Sequence, residues 1–577
     1  MITRHKVKLT VLPDLLCILT VFVCTLKLTW KLSNTIDLPE NPDELFYFIS
    51  GINFFTHIPD ANWGLLYSLW YNFLSLFSNN NIDIIYFNTA FLPVINPCLI
   101  YLLLRKFNIR YEFVMVFCFL YLLSPLNLPV QPKVSNFLSL WLIIIYSLIS
   151  NKKDPFFVIL IALIGAFFAV YIRPEFKLSF VLLFILFLLA SYRKFKFQSF
   201  SKIYLKYSIF VMVLFLTFLL WWGNVFNDNA KRKYVAFGQH FSYNYSLWYK
   251  TKNNPFTDWE IVNKKVFNNA TTFKQSIQNN PEMFGKHLLF NIKNYFGGIS
   301  TEYFGLPFPK QYFNLSSFQK ILFTGVIIFM FIFLRFKSLG FKFNSKSIYK
   351  KSKIKIIFSE ITGRNPVQGS LPDRSIQEYG LTLVEIKLLI GLAFFLPTLF
   401  AVILMASRMH YFVAQLPSLV FLGGIIFFSG KIESERKAYN FIYLFIICIT
   451  CFFLTPTPVQ NKLLMNDHSL LNITTKLKQL NIHEKIIATG ANNLLINLIY
   501  PNAVSIPYWD KIEDTYTFIK NKNINLFIVT KGMTDDWRFQ DDVQWQDFIR
   551  NYDRLNFDRI EIPESQNYIL IKHDLLL

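Results

Sequence analysis

Long apolar stretches set the pattern of this chain, and short polar or basic connections interrupt them. Taking roughly 17 to 25 apolar residues per crossing, with shorter or broken runs accepted where helices pack on one another, the pattern predicts about eleven transmembrane helices. Seven come first, at 9–29, 84–104, 111–126, 135–150, 156–172, 177–192 and 207–223. Four follow a long interruption, at 319–335, 381–405, 411–429 and 438–455.

The basic residues test that count, because alternate connections are rich in Lys and Arg when the spans are right. Arg105, Lys106 and Arg110 share one connection, Lys152 and Lys153 the next on that side, and Arg193, Lys194, Lys196, Lys202 and Lys206 the third. The run from Arg335 to Lys355 and the group Lys431, Arg436 and Lys437 complete the series. The expected N-terminus is therefore cytoplasmic and, after an odd number of crossings, the C-terminus lies outside. The N-terminus has a basic head and an apolar run with no clear small-residue cleavage site, and that run is expected to stay as a first helix.

Composition agrees: 53% of the 577 residues are hydrophobic and 65 are Phe, with a mean hydropathy of +0.35. A soluble enzyme of ordinary composition is excluded. The net charge of +22 is used up by the connections on one side, so it needs no nucleic acid to explain it. All six cysteines lie in apolar stretches, including the Cys448 and Cys451 pair, and read as packing residues rather than a disulfide framework or a metal site.

Three regions are expected on the outer face: a loop from 31 to about 82, a long loop from about 224 to 318, and a tail at 456–577. The tail changes character. The β-type runs EKIIATG, NAVSIPY and INLFIVT are separated by helix-like segments such as SLLNITTKLKQL, which predicts a small α/β domain beside the membrane domain of residues 1–455. A single glycine, Gly490, rules out a dinucleotide fingerprint.

The first outer loop holds ENPDELFYF, with Asp43 and Glu44 behind Pro42. Asn41 as N-cap and Pro42 at the first helical position would make the acids the first turn of a short interfacial helix. Phe46, Tyr47 and Phe48 would anchor it. By the count of crossings, Lys133 in VQPKVS, Arg173 in YIRPEFK, and Arg408, His410 and Tyr411 in SRMHYF reach the same outer face. An acid over a cationic cluster suits transfer of a sugar from a lipid phosphate. The carboxylate accepts the proton of the attacking hydroxyl, and the cations hold the departing phosphate. Each cation alone is equally explained by snorkelling or ion pairing.

These residues resemble the GT-C superfamily of polyprenyl-phosphate-sugar glycosyltransferases, in the branch of the protein O-mannosyltransferases and the lipid A aminoarabinose transferase. PDELFY is similar to the acidic motif of the first outer loop, and NWGLLYSLWYNFLSLF to the segment after it, with Trp63 and Gly64 where prolines are common. YIRPE is similar to the Arg-Pro-Glu turn and RMHYFVAQLPSL to a late Arg-Tyr element. The resemblance implies a GT-C fold, an inverting transfer, Asp43 as catalytic base and Glu44 as its assistant. It also implies Arg173, Arg408, His410 and Lys133 around the donor phosphate. Tyr47, Trp63, Tyr411 and His240 are expected near the acceptor.

A divalent cation, Mg or Mn, stays open, since two adjacent carboxylates make a poor cage and no metal-binding residue is assigned. Expected partners are a polyprenyl-phosphate sugar, membrane lipid and a glycan, lipid or protein acceptor, in a bacterial cytoplasmic membrane. A transporter or flippase of a lipid-linked anion, and a non-catalytic scaffold, remain as rivals. The loop segment KRKYVAFGQHFSYNYSLWYK reads equally as a sugar-stacking surface or an interfacial helix, His287 reads as packing, and the acids of TDDWRFQDDVQWQDF as a solvated face.

Overall fold

The computed structural model describes residues 2–298, 381–428, 441–457 and 468–576, with breaks of one to six residues inside them. The expected span at 319–335, the basic run after it, the group Lys431, Arg436 and Lys437, and the proposed cap Asn41 lie outside the described residues.

The described part is a helical bundle with a small sheet at its end. The helices are α1 (Ile2–Thr29), α2 (Pro42–Ile52), α3 (Leu65–Ser75), α4 (Asn81–Lys106), α5 (Tyr111–Leu123), α6 (Val134–Ser150), α7 (Pro155–Ile172), α8 (Lys177–Lys196) and α9 (Lys202–Trp222). The long loop contributes α10 (Ala230–Tyr249), α11 (Trp259–Phe267), α12 (Phe273–Asn279) and α13 (Pro281–Gly298). Then come α14 (Leu383–Leu404), α15 (Met409–Phe428) and α16 (Phe441–Leu454).

Seven of the described helices are long and apolar enough to cross a membrane, and α5, α6 and α16 are shorter apolar helices. The protein is membrane-embedded. In α7, 78% of the apolar window is buried in the protein against 11% in α9, so α7 is the central column and α9 turns its side chains to lipid. Local chemistry sets the helix starts: Asp154 accepts from Phe156 N at 2.9 Å ahead of Pro155, and Thr382 and Glu385 form a capping box on α14.

The two ends of the bundle differ. At one end Arg105 Nε meets Asp14 Oδ1 at 2.5 Å. There Lys106 Nζ donates to Ser147 O at 2.6 Å and Lys387 Nζ to Ser150 O at 2.7 Å, capping the last carbonyls of α6. At the other end lie α2, α3, the start of α6 and the end of α7. Gly51 lets α2 and α3 cross closely, since a Cβ there would sit 2.5 Å from Ser68 O.

The tail forms a five-stranded sheet of β1 (Ile487–Gly490), β2 (Val504–Pro507), β3 (Leu526–Val529), β4 (Phe557–Glu561) and β5 (Tyr568–Lys572), in the order β2-β1-β3-β5-β4. Strand β1 pairs in parallel with β2 and β3, and β5 pairs antiparallel with β3 and β4. The three expected β-type runs are β1, β2 and β3, and SLLNITTKLKQ is helix α17 (Ser469–Gln479). Helices α18 (Thr515–Asn521) and α19 (Val543–Arg550) pack on the sheet through Phe518, Trp545 and Phe548.

The first loop fastens this sheet to the bundle. Buried Asp37 accepts from the Leu470 and Leu471 amides at 2.7 and 2.8 Å, capping α17 from more than 430 residues away. Asn81 Nδ2 adds a bond to Leu498 O at 2.8 Å.

Candidate active site

The candidate site is built on α2, where two neighbouring carboxylates take opposite directions. Successive helical residues are turned by about 100°, so Asp43 is exposed while Glu44 is fully buried. Glu44 Oε1 accepts from the Tyr67 hydroxyl at 2.6 Å and from the Tyr71 hydroxyl, and Oε2 accepts from the Lys133 backbone amide at 2.6 Å. Asn88 Nδ2 donates to both tyrosine oxygens at 2.7 and 2.8 Å, which turns their protons toward Glu44. Trp70 Nε1 closes the cage on Asn88 Oδ1 at 2.8 Å.

Burial pushes the Glu44 carboxyl up, against the three hydrogen bonds and the charge of Lys133. All its protein partners are donors, which is the arrangement an ionised carboxylate takes. Glu44 as placed is not available to touch an acceptor or a metal; it ties α2 to α3, α4 and the start of α6.

Asp43 faces the other way. Its charge reaches Arg408, which follows α14 and precedes α15. Arg173 stands at the end of α7, with Nε on Glu175 Oε1 at 2.6 Å and Nη1 on Ser135 Oγ at 2.7 Å. Its guanidinium lies 5.3 Å from the ring centre of Tyr411. Burial opposes the Arg173 charge, but Glu175, Tyr411 and Tyr47 outweigh it and raise its pKa. His410 lies within electrostatic reach of Arg173, Arg408 and His240. His240, on α10, accepts from Arg408 Nη2 at 3.4 Å, and burial, then Arg408 and His287, lower its pKa to about 3.

The aromatic residues frame this group. The Tyr47 ring lies 5.3 Å from Tyr67 and the Phe46 ring 5.0 Å from Trp63. Gly64 has φ +67°, and a Cβ there would stand 2.7 Å from Tyr47 Cε1 and 3.1 Å from Ile172 O. The turn can therefore be made only by glycine without displacing Tyr47 or the end of α7. Lys177 Nζ donates to Asn62 Oδ1 at 3.0 Å across the same seam.

Lys133 is brought to the site but turned inward. Its side chain is fully buried and its Nζ has no hydrogen-bond partner among the described residues. Burial lowers its pKa to about 8, with Glu44 opposing. As placed it meets the site through its backbone amide rather than its ammonium.

The sequence reading missed the cage of Tyr67, Tyr71, Asn88 and Trp70, although the i, i+4 tyrosines in LLYSLWYNF carried a helical signal for it. It also missed Ser135 as a partner of Arg173. Elsewhere, Asp542 in the acidic tail segment caps α19, accepting from Gln544 N and Trp545 N at 3.1 and 3.0 Å. Among the described residues, no group of three or more His, Cys, Asp or Glu side chains is gathered to hold a metal ion.

No family model matches the chain, and no curated protein is significantly similar to it.

Proposed function

We propose that this protein is a GT-C-type glycosyltransferase that moves one sugar, with inversion, from a polyprenyl phosphate to an acceptor on the outer side of a bacterial cytoplasmic membrane. The observation that carries the reading is one juxtaposition: exposed Asp43 and the Arg173 guanidinium, which lies 5.3 Å from the Tyr411 ring centre, are both within electrostatic reach of Arg408. Three chain segments far apart in sequence supply these residues.

In this reading the eleven-span topology brings the site to the outer rim of the bundle. Asp43 takes the proton of the acceptor hydroxyl as that oxygen attacks the anomeric carbon. The bond from that carbon to the phosphate oxygen breaks, and Arg173 and Arg408 stabilise the charge that develops on the leaving phosphate. Glu44 holds the helix that aims Asp43. Tyr47, Trp63 and His240 border the acceptor side, and the tail frames it.

The test is transfer of label from polyprenyl-phosphate sugars to candidate acceptors by the purified protein. Asp43→Asn is expected to abolish transfer while leaving donor binding intact. Transfer that survives this substitution contradicts the assigned base. Lipid-anion transport that survives it, with no transfer detected, favours a carrier.

A further inference from the structure

The turn that carries Arg408 is gripped from the long outer loop. Helix α14 ends at Leu404, so the carbonyls of its last residues have no helical partners of their own. Two side chains one turn apart on α13 satisfy them. Asn291 Nδ2 donates to Ile403 O at 2.9 Å and Met405 O at 3.0 Å, and His287 Nε2 lies 3.1 Å from Leu404 O. Both side chains are buried, His287 completely.

Asn244, from α10, locks the pair. Its Nδ2 donates to Asn291 Oδ1 at 2.8 Å and lies 3.0 Å from His287 Nδ1. Asn291 Nδ2 also lies 3.1 Å from His287 Nε2, but its two hydrogens go to Ile403 O and Met405 O, so the Leu404 carbonyl, which only accepts, takes the proton of Nε2, and Nδ1 accepts from Asn244. The imidazole is therefore neutral, and a second proton would point at the Asn244 N–H. Helix α13 also holds the other side of the turn: Tyr295 donates to Gln415 Oε1 at 3.0 Å, and its ring stacks on Phe412 at 5.4 Å.

We propose that His287 is a positioning residue for Arg408: as a neutral hydrogen-bond donor it latches residues 403–405, just ahead of Arg408, to the outer loop, and its protonation releases them. The consequence for sugar transfer rests on the function proposed above, but the latch itself does not. Around His287 stand the rings of Phe237 and Phe241, at 5.3 and 5.5 Å. The titratable group facing it from α10 is His240, which is in turn beside Arg408. The ammonium of Lys286, on the same helix, lies over Trp248 and Tyr249. A proton on His287 would thus be added to a buried, already basic neighbourhood.

Burial sets the sign, lowering the His287 pKa to about 4. The open turn has an ordinary histidine, with a pKa of about 6.5. The latch is therefore intact above about 6.5 and weakens as the pH falls toward 4.

The test is hydrogen–deuterium exchange of the full-length protein in nanodiscs, reading the amides of residues 403–412 at pH 7.5 and 5.0 as protection relative to the intrinsic rate at each pH. Wild type is expected to lose protection there by on the order of tenfold at pH 5.0. His287→Gln keeps a donor for Leu404 O but gains no proton, and is expected to stay protected at both values. His287→Ala is expected to expose the segment about tenfold at both. Unchanged protection in His287→Ala overturns the latch, and an acid response in His287→Gln equal to wild type overturns its titration. Should His287→Ala not fold, the His287→Gln comparison decides. An absence of sugar transfer would count against the proposed function and leave these readouts as they are.

Discussion

The backbone amide of Lys133 donates to Glu44 Oε2 at 2.6 Å, joining the first turn of α2 to the start of α6 across 89 positions of sequence. The bond fixes which of two adjacent acids faces outward. With Glu44 held inward by three donors, Asp43 is the carboxylate presented to Arg408.

Removing Glu44 therefore strands three buried donors. Glu44→Ala is expected to destabilise the protein by roughly 3–5 kcal/mol, the cost of breaking a buried charged network. Glu44→Gln still accepts the two tyrosine hydroxyls on one oxygen but sets an N–H against the Lys133 amide, so it should fall between wild type and alanine. Thermal unfolding in detergent ranks the three, and a glutamine variant as stable as wild type would contradict the cage.

Tyr67, Tyr71 and Asn88 act on that carboxylate as one network, and their substitutions should not add. Tyr71→Phe and Asn88→Ala are each expected to cost about 1–3 kcal/mol, with the double variant costing less than the sum by roughly 0.5 kcal/mol or more. Strict additivity in a double-mutant cycle would mean that the groups do not interact.

Lys133 makes the opposite prediction. Its pKa is lowered to about 8 in the folded protein against about 10.4 in an unfolded chain. The unfolded state then binds more protons between those values, so this residue makes stability rise with pH from about 8 to 10.4. Below that window the ammonium is a buried, costly charge. Lys133→Met is expected to raise the melting temperature at pH 7 and to flatten the alkaline rise, which unfolding curves at pH 7 and 9.5 would show.

Arg173 spends two different nitrogens on Glu175 and Ser135 and lays its plane near Tyr411. A lysine keeps the charge but not the fork. Arg173→Lys should weaken binding of a polyprenyl phosphate by about tenfold or more, measured by titration into nanodiscs. Unaltered affinity would remove Arg173 from the donor site.

Gly64 offers a backbone test. Alanine there must adopt φ +67° and displace Tyr47. Gly64→Ala is expected to cost about 1–3 kcal/mol, and adding Tyr47→Ala should recover only the part due to the clash. Full recovery would show that the backbone conformation carries no cost.

Much of the architecture was legible because a bilayer imposes a one-dimensional rule. A helix in lipid must satisfy its backbone internally and present apolar side chains over a known length. The stretches at 84–104 and 156–172 therefore marked α4 and α7 before any packing was known. The three parallel strands of the tail were visible as short β-type runs, whereas β4, whose exposed Arg559 and Glu561 alternate with half-buried Asp558 and Ile560, and β5, buried from Tyr568 to Ile571, were not picked out as strands.

The site was legible only in part. Sequence supplied Asp43, Arg173, Arg408, His410 and Tyr411 as chemistry in search of a common place, and it treated Asp43 and Glu44 as a pair because they are neighbours. A turn of about 100° between adjacent helical residues separates them, and which one points inward depends on Tyr67, Tyr71 and Lys133 arriving from other segments. The same holds for His287, whose role comes from the carbonyls of α14 that it meets. Residue type and apolar length are properties of the chain by itself, and they determined that this protein lives in a membrane and where its long apolar helices run among the described residues. Which polar groups are spent on one another is a matter of three-dimensional neighbours, so only the tertiary structure decided which carboxylate is left to face the arginines.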